Sequence, residues 1–523
     1  MVRWKMYMVM IPLFSTLLTA EVGVEPLNPE FIKIQKELEK KEFNHFLVDT
    51  SVGKKATGWI PSPLESEVHK SDESKGKKPS AVTYAPRFDL SDPNLDLNRE
   101  DSLLTPVKDQ GLCGVCWAFA SYGAYEGQVK IDHLGTFDFS EQNLRYTNGS
   151  ELTNANPCSG GDLSMVVAYL ARGDGPVSEA DDPYDLSSGN TYNPEAKAIR
   201  YVDNVINLPL RDFNNKMDID YLKYVLSVLK RPLYVSMQVV STSGETEERE
   251  RGKSVWDHDT KSFYCDGDGE ICRSNHAVVI VGWDDDYQAQ GQTGAFIVRN
   301  SWGSTWAGDG YFYVPYNDDS ICLNGNIGYF EDKPESDLSF TKIYQHDTLP
   351  AVLSWGTTDG TPCWGANRYV IEKDGVLNAI GTYGRVSGTE YEIKLFKEMR
   401  DSSGDVTFSN QIGTTQTGTL STGWHTLKLN TPVSVVKDEI LIVQVKLSSP
   451  TSRRVFALEA DVPGYVDVQS APNESFYSED GVTFYDLANR GEYNFAIKAL
   501  VDEEHHIPQQ QPSIIPAINY LLW

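Results

Sequence analysis

The chain has 523 residues, enough for about three units each with a core of its own. With 74 acidic against 46 basic residues its formal charge is −28. That balance argues against a nucleic-acid partner, because phosphate binding needs clustered Lys and Arg, and it favours solubility.

Taken in order, residues 1–20 read as a secretory signal. Arg3 and Lys5 form a basic start and Met6 to Ala20 an apolar run, too short for a comfortable membrane span. An uncleaved membrane anchor is the minority reading. Residues 21–83 carry a charged helical signal over Pro29–Phe46 and then a Ser-, Lys- and Glu-rich stretch from Ser62 to Ser80, a composition that buries no core of its own. Over 84–332 the patterns predict helices at Cys116–Ile131, Ser140–Tyr146, Leu163–Ala171 and Ile219–Lys230. Strands follow at Pro232–Val240, His276–Trp283, Ala295–Asn300 and Gly310–Pro315, so the unit is α+β, a helical half before a strand-rich half. From 338 to 501, short alternating runs between turn signals predict an antiparallel β-sandwich. These include Arg368–Glu372, Val376–Tyr383, Tyr391–Lys397, Gly423–Lys428, Ile440–Leu447, Arg454–Glu459 and Tyr493–Val501. Residues 502–523, with three glutamines between prolines, read as a disordered tail too short to cross a bilayer.

The run Gln110-Gly111-Leu112-Cys113-Gly114-Val115-Cys116-Trp117 places a thiol where a helix begins. Unpaired N–H groups and the positive dipole end favour thiolate there, and the Cys116 N–H and Gln110 amide can converge on an oxyanion. The other reading of Cys116 is a disulfide cysteine. Of nine histidines, His276 begins an apolar strand that ends in Gly282-Trp283; a satisfied core histidine is its alternative. Asn300, beside Ser301-Trp302-Gly303, can accept from the imidazole N–H without adding charge, with Trp302 shielding the bond from water.

The Cys116 segment resembles the active-site region of papain and the cathepsins, whose local signature is Cys-Gly-Ser/Ala-Cys-Trp/Tyr. Asn275–Trp283 resembles the histidine strand of that family and Arg299–Tyr311 its asparagine segment, in the same order. The resemblance implies a two-lobed fold, a helical lobe and a β-barrel-like lobe, with protein or peptide substrates lying in the cleft between them. It implies Cys116 as nucleophile, His276 as general base and acid, Asn300 as orienter and Gln110 as oxyanion donor, with no cofactor and no metal. Gly160 and Gly161, within Pro157-Cys158-Ser159-Gly160-Gly161, would bind the substrate backbone. Residues 21–83 then become a propeptide and linker, with maturation cleavage near 76–85.

By the same resemblance Cys113 pairs with Cys158, a bridge worth ~4 kcal/mol by the loop-entropy model. Cys265 with Cys272 would close a local loop; Cys322 and Cys363 are left to each other by elimination, or stay as unpaired buried thiols. The chain departs from the family at Val115, Thr147 and Asn275. Its Cys116–His276 separation exceeds the ~130–150 residues of that family, an excess assigned to the polar insert Ser241–Arg273. Asp266-Gly267-Asp268-Gly269-Glu270 reads as a solvated acidic turn rather than a calcium loop. Asn148-Gly149-Ser150 and Asn473-Glu474-Ser475 are glycosylation sequons.

The sandwich is similar to the lectin-like domains that follow papain-like units in some bacterial and archaeal secreted peptidases. The similarity rests on Tyr344-Gln345-His346-Asp347 and Ala366-Asn367-Arg368-Tyr369. Carbohydrate is one reading of its ligand, with Trp355, Trp364 and Trp424 as platforms; core tryptophans are the other. The expectation is a cysteine peptidase, secreted or at the cell surface. An inactive glycan-binding adhesion protein and a transpeptidase are the competing readings.

Overall fold

The computed structural model describes residues 23–38, 47–50, 53–64, 83–95, 102–187, 191–208, 218–240, 254–267, 272–322, 327–332, 340–451 and 454–504. The expected signal, most of the polar stretch Ser62–Ser80, much of the insert Ser241–Arg273 and the tail from 505 lie outside these residues. Among the described residues no helix is long and apolar enough to cross a membrane.

Helices α1 (Pro29–Leu38), α2 (Cys116–Ile131), α3 (Glu141–Thr147), α4 (Glu151–Ala155), α5 (Leu163–Ala171) and α6 (Ile219–Ser227) follow in order. Every residue of α2 is buried, because it runs through the core against the strand His276–Ala289. Its N-cap, Val115, offers no side-chain acceptor, so the first N–H groups of the helix remain for other partners. By contrast Ser140, Ser150, Asp162 and Asp218 cap α3 to α6 with their own side chains. The sequon residue Asn148 is buried at the α3 end, its amide donating to the Leu144 and Arg145 carbonyls.

The strand half is built on His276–Ala289, paired antiparallel with Leu233–Met237 on one side and Gln292–Arg299 on the other. This sheet does not stop at the unit boundary. Strand Asn204–Asn207 pairs with Gly328–Glu331 and also with Gly423–Val435 of the sandwich, giving one sheet of 13 strands through both units. Gly423 makes the junction possible: its φ is +122°, and a Cβ there would lie 1.9 Å from the Val205 carbonyl oxygen.

In the sandwich, strands Gly375–Gly384, Gly423–Val435 and Ile497–Asp502 face a six-stranded sheet that includes Cys363–Val370, Thr389–Ser402 and Ile440–Ser448. Leu377, Ile380, Val443, Val445 and Ile497 fill the space between. The edge strand Asp405–Leu420 carries no clear alternation of apolar residues, since most of its side chains face solvent. A third sheet joins Leu353–Gly356, Phe456–Ala460 and Tyr493–Phe495, and Gly23–Val24 adds to its edge.

Two open readings are resolved. Trp355 and Trp424 are core residues, 4% and 2% exposed, because the sandwich interior and the shared sheet need their bulk. Cys322 and Cys363, both buried, form no bridge with each other, while bridges join Cys113 to Cys158 and Cys265 to Cys272.

Candidate active site

The start of α2 and the start of strand His276–Ala289 meet at one point. The Ala277 N–H lies 3.2 Å from the Cys116 sulfur, which brings the sulfur against the histidine residue although the two are far apart in sequence. His276 Nε2 is 2.9 Å from Asn300 Oδ1. That oxygen also accepts from the Ser301 N–H at 2.8 Å, which identifies it as the amide oxygen and Nε2 as the protonated ring nitrogen. Nδ1 has no hydrogen-bond partner among the described residues and is free for chemistry. The Trp302 ring stacks on the imidazole at 4.9 Å and 29°.

Gln110 is fully buried, its Oε1 accepting from Ser301 Oγ at 2.6 Å. Its Nε2 donates to the Cys113 and Thr57 carbonyls, at 2.9 and 3.2 Å. Gly161 lies over the Trp117 ring so closely that a Cβ would approach it to 2.5 Å; only glycine fits there.

Residues 56–60 run through this groove. Gly161 donates to the Gly58 carbonyl at 2.9 Å and accepts from the Ile60 N–H at 3.1 Å, a parallel pairing centred on Trp59. The Asn275 carbonyl accepts from the Gly58 and Trp59 N–H groups, and Trp302 Nε1 donates to the Ala56 carbonyl. The Trp59 side chain is 3% exposed, with its indole N–H against the buried Tyr234 hydroxyl. The segment that composition alone leaves without a core thus buries Phe31, Ala56, Trp59, Ile60 and Leu64 by borrowing apolar surface from the other units.

Burial acts on both groups of the pair. Burial pushes the Cys116 thiol up to about 12, against the N–H groups of Ala277 and Trp117 that favour thiolate. Burial also pulls the His276 imidazole down to about 4, against its bond to Asn300. Beneath residues 56–60 burial thus disfavours the charged form of both groups.

Nothing in the sequence marked Trp59, the Asn275 carbonyl or Ser301 as contributors, since each acts through a contact made only in the folded chain. Among the described residues no group of three His, Cys, Asp or Glu side chains is arranged to hold a metal.

Fold and site together define a thiol peptidase of the two-lobed type with an appended β-sandwich. The family model described as "Papain family cysteine protease" matches residues 92–328, and that described as "Lectin like domain" matches 343–501. Cathepsin K of Gallus gallus is 30% identical over 254 residues, 48% of this chain and 68% of that protein. Pro-cathepsin H of Mus musculus is 31% identical over 222 residues, 42% of this chain and 59% of that protein. The chain belongs to the papain family of cysteine proteases and carries a lectin-like domain. In fold it is similar to the cysteine protease and lectin-like domains of Cwp84, a surface-layer-associated protein of Clostridium difficile. That match has a TM-score of 0.69 and 22% identity, and covers 92% of this chain and 99% of that one.

Proposed function

We propose that this chain is the precursor of a secreted or cell-surface thiol peptidase, in which residues 21–83 hold the catalytic groove closed until they are cut. Cys116 is the nucleophile: its proton passes to His276 Nδ1 and its sulfur attacks the peptide carbonyl. The Cys116 N–H and Gln110 Nε2 hold the oxyanion. His276 then protonates the departing amine, and water, deprotonated by the same imidazole, releases the acyl group from sulfur. Asn300 keeps the ring in its tautomer, and Gly160 and Gly161 align the substrate backbone. The domain limits 84–332 and 338–501 belong to this reading.

The observation that carries it is the course of residues 56–60, whose backbone meets Gly161, Asn275 and Gln110 as an extended substrate would. A thiol-reactive epoxide should label the activated protein and not Cys116→Ala, and a peptide library should yield cleavage products only from the former. Labelling that persists in Cys116→Ala overturns the assignment. Carbohydrate binding by the lectin-like domain rests on Trp364 alone, half-buried and flanked by Lys446 at 5.3 Å. Loss of glycan retention in Trp364→Ala tests it.

A further inference from the structure

Among the side chains that the lectin-like domain sets against the catalytic unit, one stands next to the groove. Tyr465, 1% exposed, lies between the start of α4 and the start of α5. Its carbonyl accepts from Ser150 Oγ at 2.6 Å and from the Glu151 N–H at 2.8 Å. Its hydroxyl donates to Asp162 Oδ2 at 2.6 Å and lies 3.2 Å from Ser164 Oγ.

Asp162 is fully buried and directly follows Gly161, the residue that exchanges two hydrogen bonds with the occupant of the groove. Its other oxygen, Oδ1, is committed to capping α5 through the Ser164 N–H and hydroxyl. The Tyr465 hydroxyl is thus the partner supplied to Oδ2 from across the domain boundary. A buried carboxylate oxygen stripped of a donor carries its full desolvation cost, and the carboxylate turns to recover one. Any such turn moves the backbone that Gly161 presents. On the far side the Phe31 ring meets the Tyr465 ring edge-on at 5.0 Å, so the N-terminal segment presses on the same residue.

We infer that Tyr465 is a positioning residue for the groove: the lectin-like domain, through its hydroxyl on Asp162, sets the geometry of the Gly160–Gly161 strand that binds extended peptide. This rests on the proposed reading of that strand as substrate-binding, and it makes the appended domain part of the peptidase site rather than a separate tether.

Hydrogen exchange of the intact, uncleaved chain tests it without catalysis. In Tyr465→Phe, exchange in the peptides covering Gly161 and residues 56–60 should rise about tenfold, the loss of one charge-assisted bond. The shared-sheet strand Asn204–Asn207 should keep its protection. After activation, Tyr465→Phe should raise KM about tenfold for peptides long enough to pair with Gly161, with kcat and the turnover of a single-residue ester unchanged. Glu151→Ala, which cuts the contact of the same loop at Gly464 (3.0 Å), should leave KM as it was. Unchanged exchange at Gly161, or a uniform rise that includes Asn204–Asn207, overturns the inference. If the uncut chain behaves as expected while the activated protein cleaves nothing, the peptidase reading fails and the positioning role stands.

Discussion

The His276 ring lies flat beneath the Trp302 indole, 4.9 Å away, while its Nε2 is bonded to Asn300 at 2.9 Å. The imidazole is thereby fixed in both tilt and tautomer, with Nδ1 left for the sulfur.

Removing the Asn300 amide should release that orientation. Asn300→Ala is expected to lower kcat by roughly 10–100-fold, a part of the usual contribution of general acid–base catalysis, with little change in KM. Steady-state kinetics on a peptide amide measure the split. A rise in KM alone would place Asn300 in substrate binding instead.

The covered groove predicts a protected thiol. In the uncut chain iodoacetamide should alkylate Cys116 far more slowly than in the activated protein. Trp59→Ala should speed alkylation by on the order of tenfold or more, since burying an aromatic side chain is worth several kcal/mol. Mass spectrometry of the Cys116 peptide reads the rate. Equal rates in both forms would mean that residues 56–60 leave the groove freely.

Acid should open the groove. In the covered state burial lowers the His276 pKa from the ordinary 6.5 to about 4, and uncovering relieves part of that burial. The uncovered form therefore binds more protons between those two values. The sign follows from linkage: the covered form is favoured at neutral pH and loses ground as pH falls from 6.5 toward 4. The rate of activation should rise across this window and flatten below it. A His276→Ala chain, followed by hydrogen exchange of residues 56–60, should lose that dependence.

The junction glycine predicts coupled stability. Gly423→Ala places a methyl group against the Val205 carbonyl, 1.9 Å away by ideal geometry, in a backbone conformation that disfavours it. We expect a loss of about 2–4 kcal/mol, and a single melting transition should split in two as the shared sheet parts. Differential scanning calorimetry distinguishes this from a uniform shift.

Reduction of the Cys113–Cys158 bridge should cost about 2–5 kcal/mol and loosen the Gln110 loop. Urea melts with and without reductant measure the difference.

Much of the site was legible in the chain because its signals are local. A thiol at a helix start, a histidine opening an apolar strand, and an asparagine beside Trp302 are each written within a few residues, and the order of the motifs carries the resemblance. Helix α2 matched its expected limits, Cys116–Ile131, and all of its residues are buried. The strand Asp405–Leu420 escaped notice because an edge strand with solvent on most of its side chains has no apolar period to read.

Residue types and motif order alone pointed to the class of chemistry, a cysteine peptidase of the papain family. That burial disfavours both charges, that Trp59 pairs with Gly161 and that Tyr465 bonds to Asp162 are visible only in the folded chain. The physical reason is that burial and hydrogen bonding act over ångströms of space: Asp162 and Tyr465, 303 residues apart, meet at 2.6 Å only when two domains share one sheet.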